Sequence, residues 1–149
     1  MAQGPVIDHV GWQVSDYDRS VKFYTAALKP LGWLKLREFK WDGGKTVGYG
    51  TGGKPFLWIS SGAKTSPHVH FAFGSESRAA VDAFYKAAMK AGGRDNGKPG
   101  LRPEYHEHYY AAFVRDPDGH NIEAVTHAPV PAKKSAPAKK APAKKKKGK

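Results

Sequence analysis

The stretch His9-Val10-Gly11-Trp12, followed after ten residues by Phe23-Tyr24-Thr25-Ala26-Ala27-Leu28, decides the fold because a second copy of it lies further along the chain. His70-Phe71-Ala72-Phe73 followed by Phe84-Tyr85-Lys86-Ala87-Ala88-Met89 aligns with it without a gap, each His preceding its Phe-Tyr pair by fourteen residues. Self-similarity of this kind marks an internal duplication.

Around the first copy, Val6, Val10, Trp12 and Val14 alternate as a half-buried strand does, with Ile7, His9, Gly11 and Gln13 on the other face. Ser15 to Asp18 resemble a capping box, and Val21, Tyr24 and Leu28 recur at helical spacing until Pro30 and Gly32. Strands are expected at about 33–41, 45–51 and 55–60, separated by Asp42-Gly43-Gly44 and Gly52-Gly53. The order repeats from Pro67: strand 68–74, helix about 76–91, a less defined stretch at 94–106, and strands at 108–115 and 119–127 joined by the turn Asp116-Pro117-Asp118-Gly119. The glycine pairs sit between strands, so nothing supports a phosphate-cradling loop. No serine occupies a strand-to-helix elbow either.

Of the formal charge of +12, nine units belong to lysines between 133 and 149, which leaves +3 for the rest. That tail repeats Pro-Ala-Lys-Lys at 131–134, 137–140 and 142–145 and has nothing apolar to bury, so residues 129–149 are expected to be disordered. Its composition resembles the tails of linker histones, and non-specific nucleic-acid contact through residues 131–149 is a possible role. There is no cysteine, which excludes disulfides, thiolate ligands and cysteine nucleophiles. The N-terminus lacks a basic start followed by an apolar run, and no stretch approaches the ~20 apolar residues of a membrane span. A cytoplasmic protein without membrane contact is the expectation.

The bulky residues of the two matched strands share one face, leaving His9 and His70 on the other among Gly11, Ala72 and Gly74. In the last strand Ile122 and Ala124 take the apolar parity, which turns Glu123 to the opposite side, where a carboxylate is costly to bury unless a cation or donor meets it. Each alone has an ordinary reading as a solvated side chain. Together, two repeat-equivalent imidazoles and one carboxylate form a facial set whose open positions suit one divalent Fe, Mn, Ni, Co or Zn ion. His68 would be the alternative ligand if the repeat were shifted by two residues. Otherwise it is expected to line the pocket or the surface.

Ile7-Asp8-His9-Val10-Gly11-Trp12-Gln13-Val14-Ser15-Asp16 with Phe23-Tyr24, and Asp116-Pro117-Asp118-Gly119-His120-Asn121-Ile122-Glu123-Ala124-Val125, resemble the opening and closing motifs of the vicinal-oxygen-chelate (glyoxalase/bleomycin resistance/dioxygenase) superfamily. The stretch from Gly92 to His106 and on to Phe113 resembles an uncharacterised bacterial subgroup of it. The resemblance covers residues 5–127. It implies an α+β fold of two tandem βαβββ modules, about 5–62 and 67–128, forming a curved mixed sheet around a metal cleft. It also implies frequent homodimers and metal ligands at His9, His70 and Glu123. The further carboxylate that glyoxalase I enzymes take from the last strand of the first module is absent, since that stretch reads Phe56-Leu57-Trp58-Ile59.

Arg102, Tyr105, His106, His108, Tyr109 and Tyr110 cluster on one segment. Tyr110 and His106 are candidate proton-transfer groups. Arg102, Trp58, Phe56, Tyr109 and His68 are candidate substrate contacts, Arg102 for an anionic group. His120 is expected at the surface. The reading favoured is a metal-dependent enzyme whose small-molecule substrate chelates the ion through adjacent oxygens, as a lyase, isomerase, dioxygenase or thiol transferase. A non-catalytic drug-binding resistance protein and a nucleic-acid-tethered module are the alternatives.

Overall fold

The computed structural model describes residues 7–130, so residues 131–149, the greater part of the lysine-rich tail, lie outside the described residues. The first module comprises β1 (Val10–Val14), α1 (Tyr17–Leu28), a single 3-10 turn (Lys29–Leu31), β2 (Leu34–Trp41), β3 (Gly44–Thr51) and β4 (Lys54–Ser61). The second comprises β5 (His70–Gly74), α2 (Arg78–Lys90), β6 (Arg94–Leu101), β7 (Tyr110–Arg115) and β8 (Asn121–Thr126).

Each module forms a four-stranded mixed sheet, ordered β1-β4-β3-β2 in the first and β5-β8-β7-β6 in the second. The first strand of each runs parallel to the last, and the remaining pairs are antiparallel. The chain is therefore two βαβββ modules in an α+β fold. Because β1 and β5 each sit at a sheet edge, the repeat-equivalent histidine segments lie along two separate edges, and among the described residues no ladder joins the sheets.

Strand parity explains the core. Trp12, Val14, Val47, Tyr49, Leu57 and Ile59 from the first sheet, and Phe73, Ala112, Val114, Ile122 and Ala124 from the second, point to the helices and meet Phe23, Tyr24, Leu28, Val81 and Phe84 in one cluster. Burying an apolar side chain of this size contributes about 1.5–3 kcal/mol. A core shared by both modules therefore makes them one folding unit. Trp12 of β1 packs on Phe71 of β5, with ring centroids 5.8 Å apart.

The Asp116–His120 turn reinforces this junction. Tyr24 donates from α1 to the buried Asp116 at 2.6 Å, and the Ser15 backbone N–H and hydroxyl both donate to Asp118. The sequence assigned Ser15 to the helix cap. In the structure Asp16 caps α1 by accepting from the Arg19 N–H, which frees Ser15 for the other module. His120 is likewise not at the surface. It is fully buried, its Nδ1 accepts from the Val69 N–H at 3.1 Å, and its ring lies 6.2 Å from that of Trp12. The turn folds inward because its two carboxylates are claimed by Tyr24 and Ser15.

Candidate metal and substrate site

The outer face of the second sheet carries His70 and Ala72 from β5, Asn121, Glu123 and Val125 from β8, and Ala111 and Phe113 from β7, set by the registers Ala72↔Glu123 and Phe113↔Glu123. Glu123 is 1% exposed, and a carboxylate so buried requires partners. Its Oε2 lies 2.8 Å from His70 Nε2, and its Oε1 accepts a hydrogen bond from the Tyr109 hydroxyl. Burial, then the hydrogen bond and charge of Glu123, pushes the Tyr109 phenol up to about 12, so it is a donor throughout the neutral range.

Segment 102–109 covers this face. Tyr109 packs edge-on against Tyr105 and against His127, at 5.2 and 5.1 Å between centroids. A cavity of about 350 Å³ reaches the pair from the His70 side, lined by His70, Asn96, Arg102, Glu104, Phe113 and Asn121. The His70 ring lies 6.4 Å from Phe113, and the Arg102 guanidinium lies 5.6 Å from Phe113. Sequence reasoning missed Phe113, Asn96 and His127. The parity of β7 would have placed Phe113 opposite Glu123, whereas the contact of His127 with segment 102–109 leaves no mark in sequence spacing.

Of the two candidate histidines around β5, His70 is the one that reaches Glu123. His68 stands at the Asp116–His120 turn, 5.9 Å from the His120 ring. Tyr110, expected to move protons, lies on the opposite face of β7 from Phe113. Its hydroxyl donates to Asp82 at 2.7 Å and Arg78 lies over its ring, so it secures α2 to the sheet. His106 is exposed at segment 102–109, its Nδ1 accepting from the His108 N–H and its ring 5.7 Å from His127. Neither touches Glu123. Trp58 lies on the outer face of the first sheet, stacked on Phe39 at 5.9 Å, while Phe56 packs on Trp33.

His9 stands apart from the pair. It is exposed, its Nδ1 lies 2.8 Å from Asp8, and Asp8 is also 2.6 Å from Lys54 Nζ. The hydrogen bond to His9 and then the Lys54 ammonium hold the Asp8 carboxyl below its usual range. Among the described residues no three His, Cys, Asp or Glu side chains of one chain converge on a metal position.

The pair suits a metal by donor type, an imidazole nitrogen and a carboxylate oxygen that share a 2.8 Å hydrogen bond and would both have to turn to the ion. An imidazole with a carboxylate suits borderline divalent ions.

The family model described as the Glyoxalase/Bleomycin resistance protein/Dioxygenase superfamily matches residues 6–124. A putative lactoylglutathione lyase from Brassica oleracea var. gemmifera is 29% identical over 132 residues, which cover 83% of this chain and 45% of that protein, so the chain spans about half the length of this curated relative. A glyoxalase/bleomycin resistance protein from Albidiferax ferrireducens T118 superposes with a TM-score of 0.61 at 27% identity, covering 82% of this chain and 98% of its own. Glyoxalase I from Zea mays superposes with a TM-score of 0.63 at 22% identity, over 80% of this chain and 43% of that one, a likeness of fold.

Proposed function

The chain belongs to the glyoxalase/bleomycin resistance protein/dioxygenase superfamily, and from that premise we propose that it is a metal-dependent enzyme acting on a small molecule that chelates the ion through adjacent oxygens. The observation that carries the proposal is the buried Glu123 carboxylate held against His70, a histidine that lines a cavity. His70 and Glu123 would hold the ion, and His9 of a second copy would complete the set. The ion would polarise the chelated oxygens as a Lewis acid.

The need for a second copy is supported by two features. Among the described residues no strand lies beyond β1 or β5; β5 offers its edge to a partner, and β1 does so ahead of Gln13, whose N–H and C=O are taken by Thr65. The outer face of the first sheet exposes Leu34, Phe39 and Trp41, each more than half exposed in the single chain. An apolar face of this kind marks an interaction surface, and a two-fold dimer would lay it over the partner's Glu123 face.

Within the site, Tyr109 orients the Glu123 carboxylate by donating to Oε1, and Phe113 supplies an apolar floor. Metal analysis of the protein purified without a His-tag tests the proposal. Bound divalent metal in the wild type and its loss in His70→Ala are expected. A metal-free wild type, or unchanged metal content in His70→Ala, would overturn it in favour of drug binding without metal.

A further inference from the structure

Arg102 occupies a seat that the sequence of β6 has carved for it. A Cβ on Gly97 would lie 2.8 Å from Phe113 Cδ2 and 3.5 Å from Arg102 Nη2, and a Cβ on Gly100 would lie 3.0 Å from Arg102 Nη1. A Cβ on Gly100 would press on Nη1, and one on Gly97 would press on the Phe113 ring that the guanidinium lies over. There Nη2 donates to the Lys98 carbonyl at 2.7 Å, Nη1 donates to the Leu101 carbonyl at 3.2 Å, and the Phe113 ring supports the group from one side at 5.6 Å.

Two backbone bonds occupy two of the five guanidinium N–H donors. Among the described residues no carboxylate lies within ion-pair distance of Arg102. Glu104 lines the same cavity, but it is exposed and its charge is screened by water. Phe113 connects the seat to the metal pair, carrying Arg102 on one side and His70 on another. Asn96, whose amide donates to Asn121 at 2.9 Å, adds polar lining between them. A fixed guanidinium with free donors is pre-organised for an oxyanion, and the loss of rotamer freedom that binding would otherwise cost is already met by the fold.

Resting on the metal reading above, we propose that the substrate carries a carboxylate or comparably small oxyanion in addition to its chelating oxygens. Arg102 receives that anion while Phe113 supports the body of the molecule. The site thereby selects acids over neutral molecules of the same shape.

The test uses catechol and 3,4-dihydroxybenzoate, which share the adjacent oxygens and differ by one carboxylate. Both are titrated calorimetrically into Co(II)-loaded wild type, Arg102→Gln and Gly100→Ala. Wild type should bind the carboxylate tighter by about tenfold or more, the range of a charge-assisted bond. Arg102→Gln should erase that preference with catechol affinity unchanged, and Gly100→Ala should reduce it by crowding Nη1. Equal affinities in wild type, no binding of either probe, or a preference that survives Arg102→Gln would overturn the proposal. Binding of 3,4-dihydroxybenzoate that depends on Arg102 without any catechol binding would support the anion seat and overturn the metal reading.

Discussion

One oxygen of Glu123 is taken by the Tyr109 hydroxyl and the other by His70. Outer-shell partners of metal ligands are worth about 10–100-fold in metal affinity. Tyr109→Phe, which keeps the ring contacts with Tyr105 and His127, should weaken metal binding by about tenfold in a chelator competition. An unchanged affinity would mean that the hydroxyl does not orient the ligand. Tyr110→Phe should leave metal affinity as it is, because its hydroxyl bonds Asp82 on the helix side of the sheet. Strand period carries that distinction, since Tyr110 shares the parity of Ala112 and Val114, which face the helices, and Tyr109 that of Phe113. What spacing does not show is that Glu123 is the partner of the Tyr109 hydroxyl.

At the scale of elements, the inward turn at Asp116–His120 joins the modules through Tyr24. Tyr24→Phe leaves the buried Asp116 oxygen without its donor and should cost about 1–3 kcal/mol in urea unfolding. The same contact gives a pH dependence. Burial, then the Asp116 charge, raises the Tyr24 phenol well above its usual value, and burial pushes Tyr49 up to about 12. Unfolded tyrosines ionise near about 10, so the unfolded chain releases these protons first. The stability they contribute is complete below pH of about 10 and is lost as pH rises through the folded values. Thermal melts between pH 8 and 12 should fall on the alkaline side, and less steeply in Tyr49→Phe.

Strand and helix order could be read from period and turn residues because local sterics and amphipathicity set both. The burial of His120 and the diversion of Ser15 could not be read, since each is decided by a side chain in the other module. Gly50 belongs to the same category. Its role appears only where β3 bulges against β4 and a Cβ would meet the Lys54 carbonyl oxygen at 1.9 Å. Gly50→Ala should therefore destabilise by about 1–3 kcal/mol or more.

At the scale of the whole molecule, the internal repeat located His9 and His70 on equivalent strands but was silent on whether equivalent strands of one chain meet. They do not pair, because each is the edge of its own sheet while the helices fill the shared core. That core predicts one cooperative unfolding transition for both modules, and separate transitions in calorimetry would contradict it. On the two-copy proposal the wild type should sediment as a dimer and Phe39→Asp, which charges the exposed aromatic face, as a monomer with unaltered circular dichroism. The lysines beyond residue 131 predict salt-sensitive retention on DNA that disappears when residues 129–149 are removed.

Subunit mixing separates a metal site built from two copies of the chain from one held within a single copy. His9→Ala and His70→Ala are each expected to lose metal. When they are unfolded, mixed in equal amounts and refolded together, half of the dimers should be mixed and each should regain one intact site. Metal content should then return to about a quarter of the wild-type value if a two-fold dimer shares its sites. A mixture that stays metal-free, or a His9→Ala protein that keeps its metal when alone, would rule out a site shared between copies.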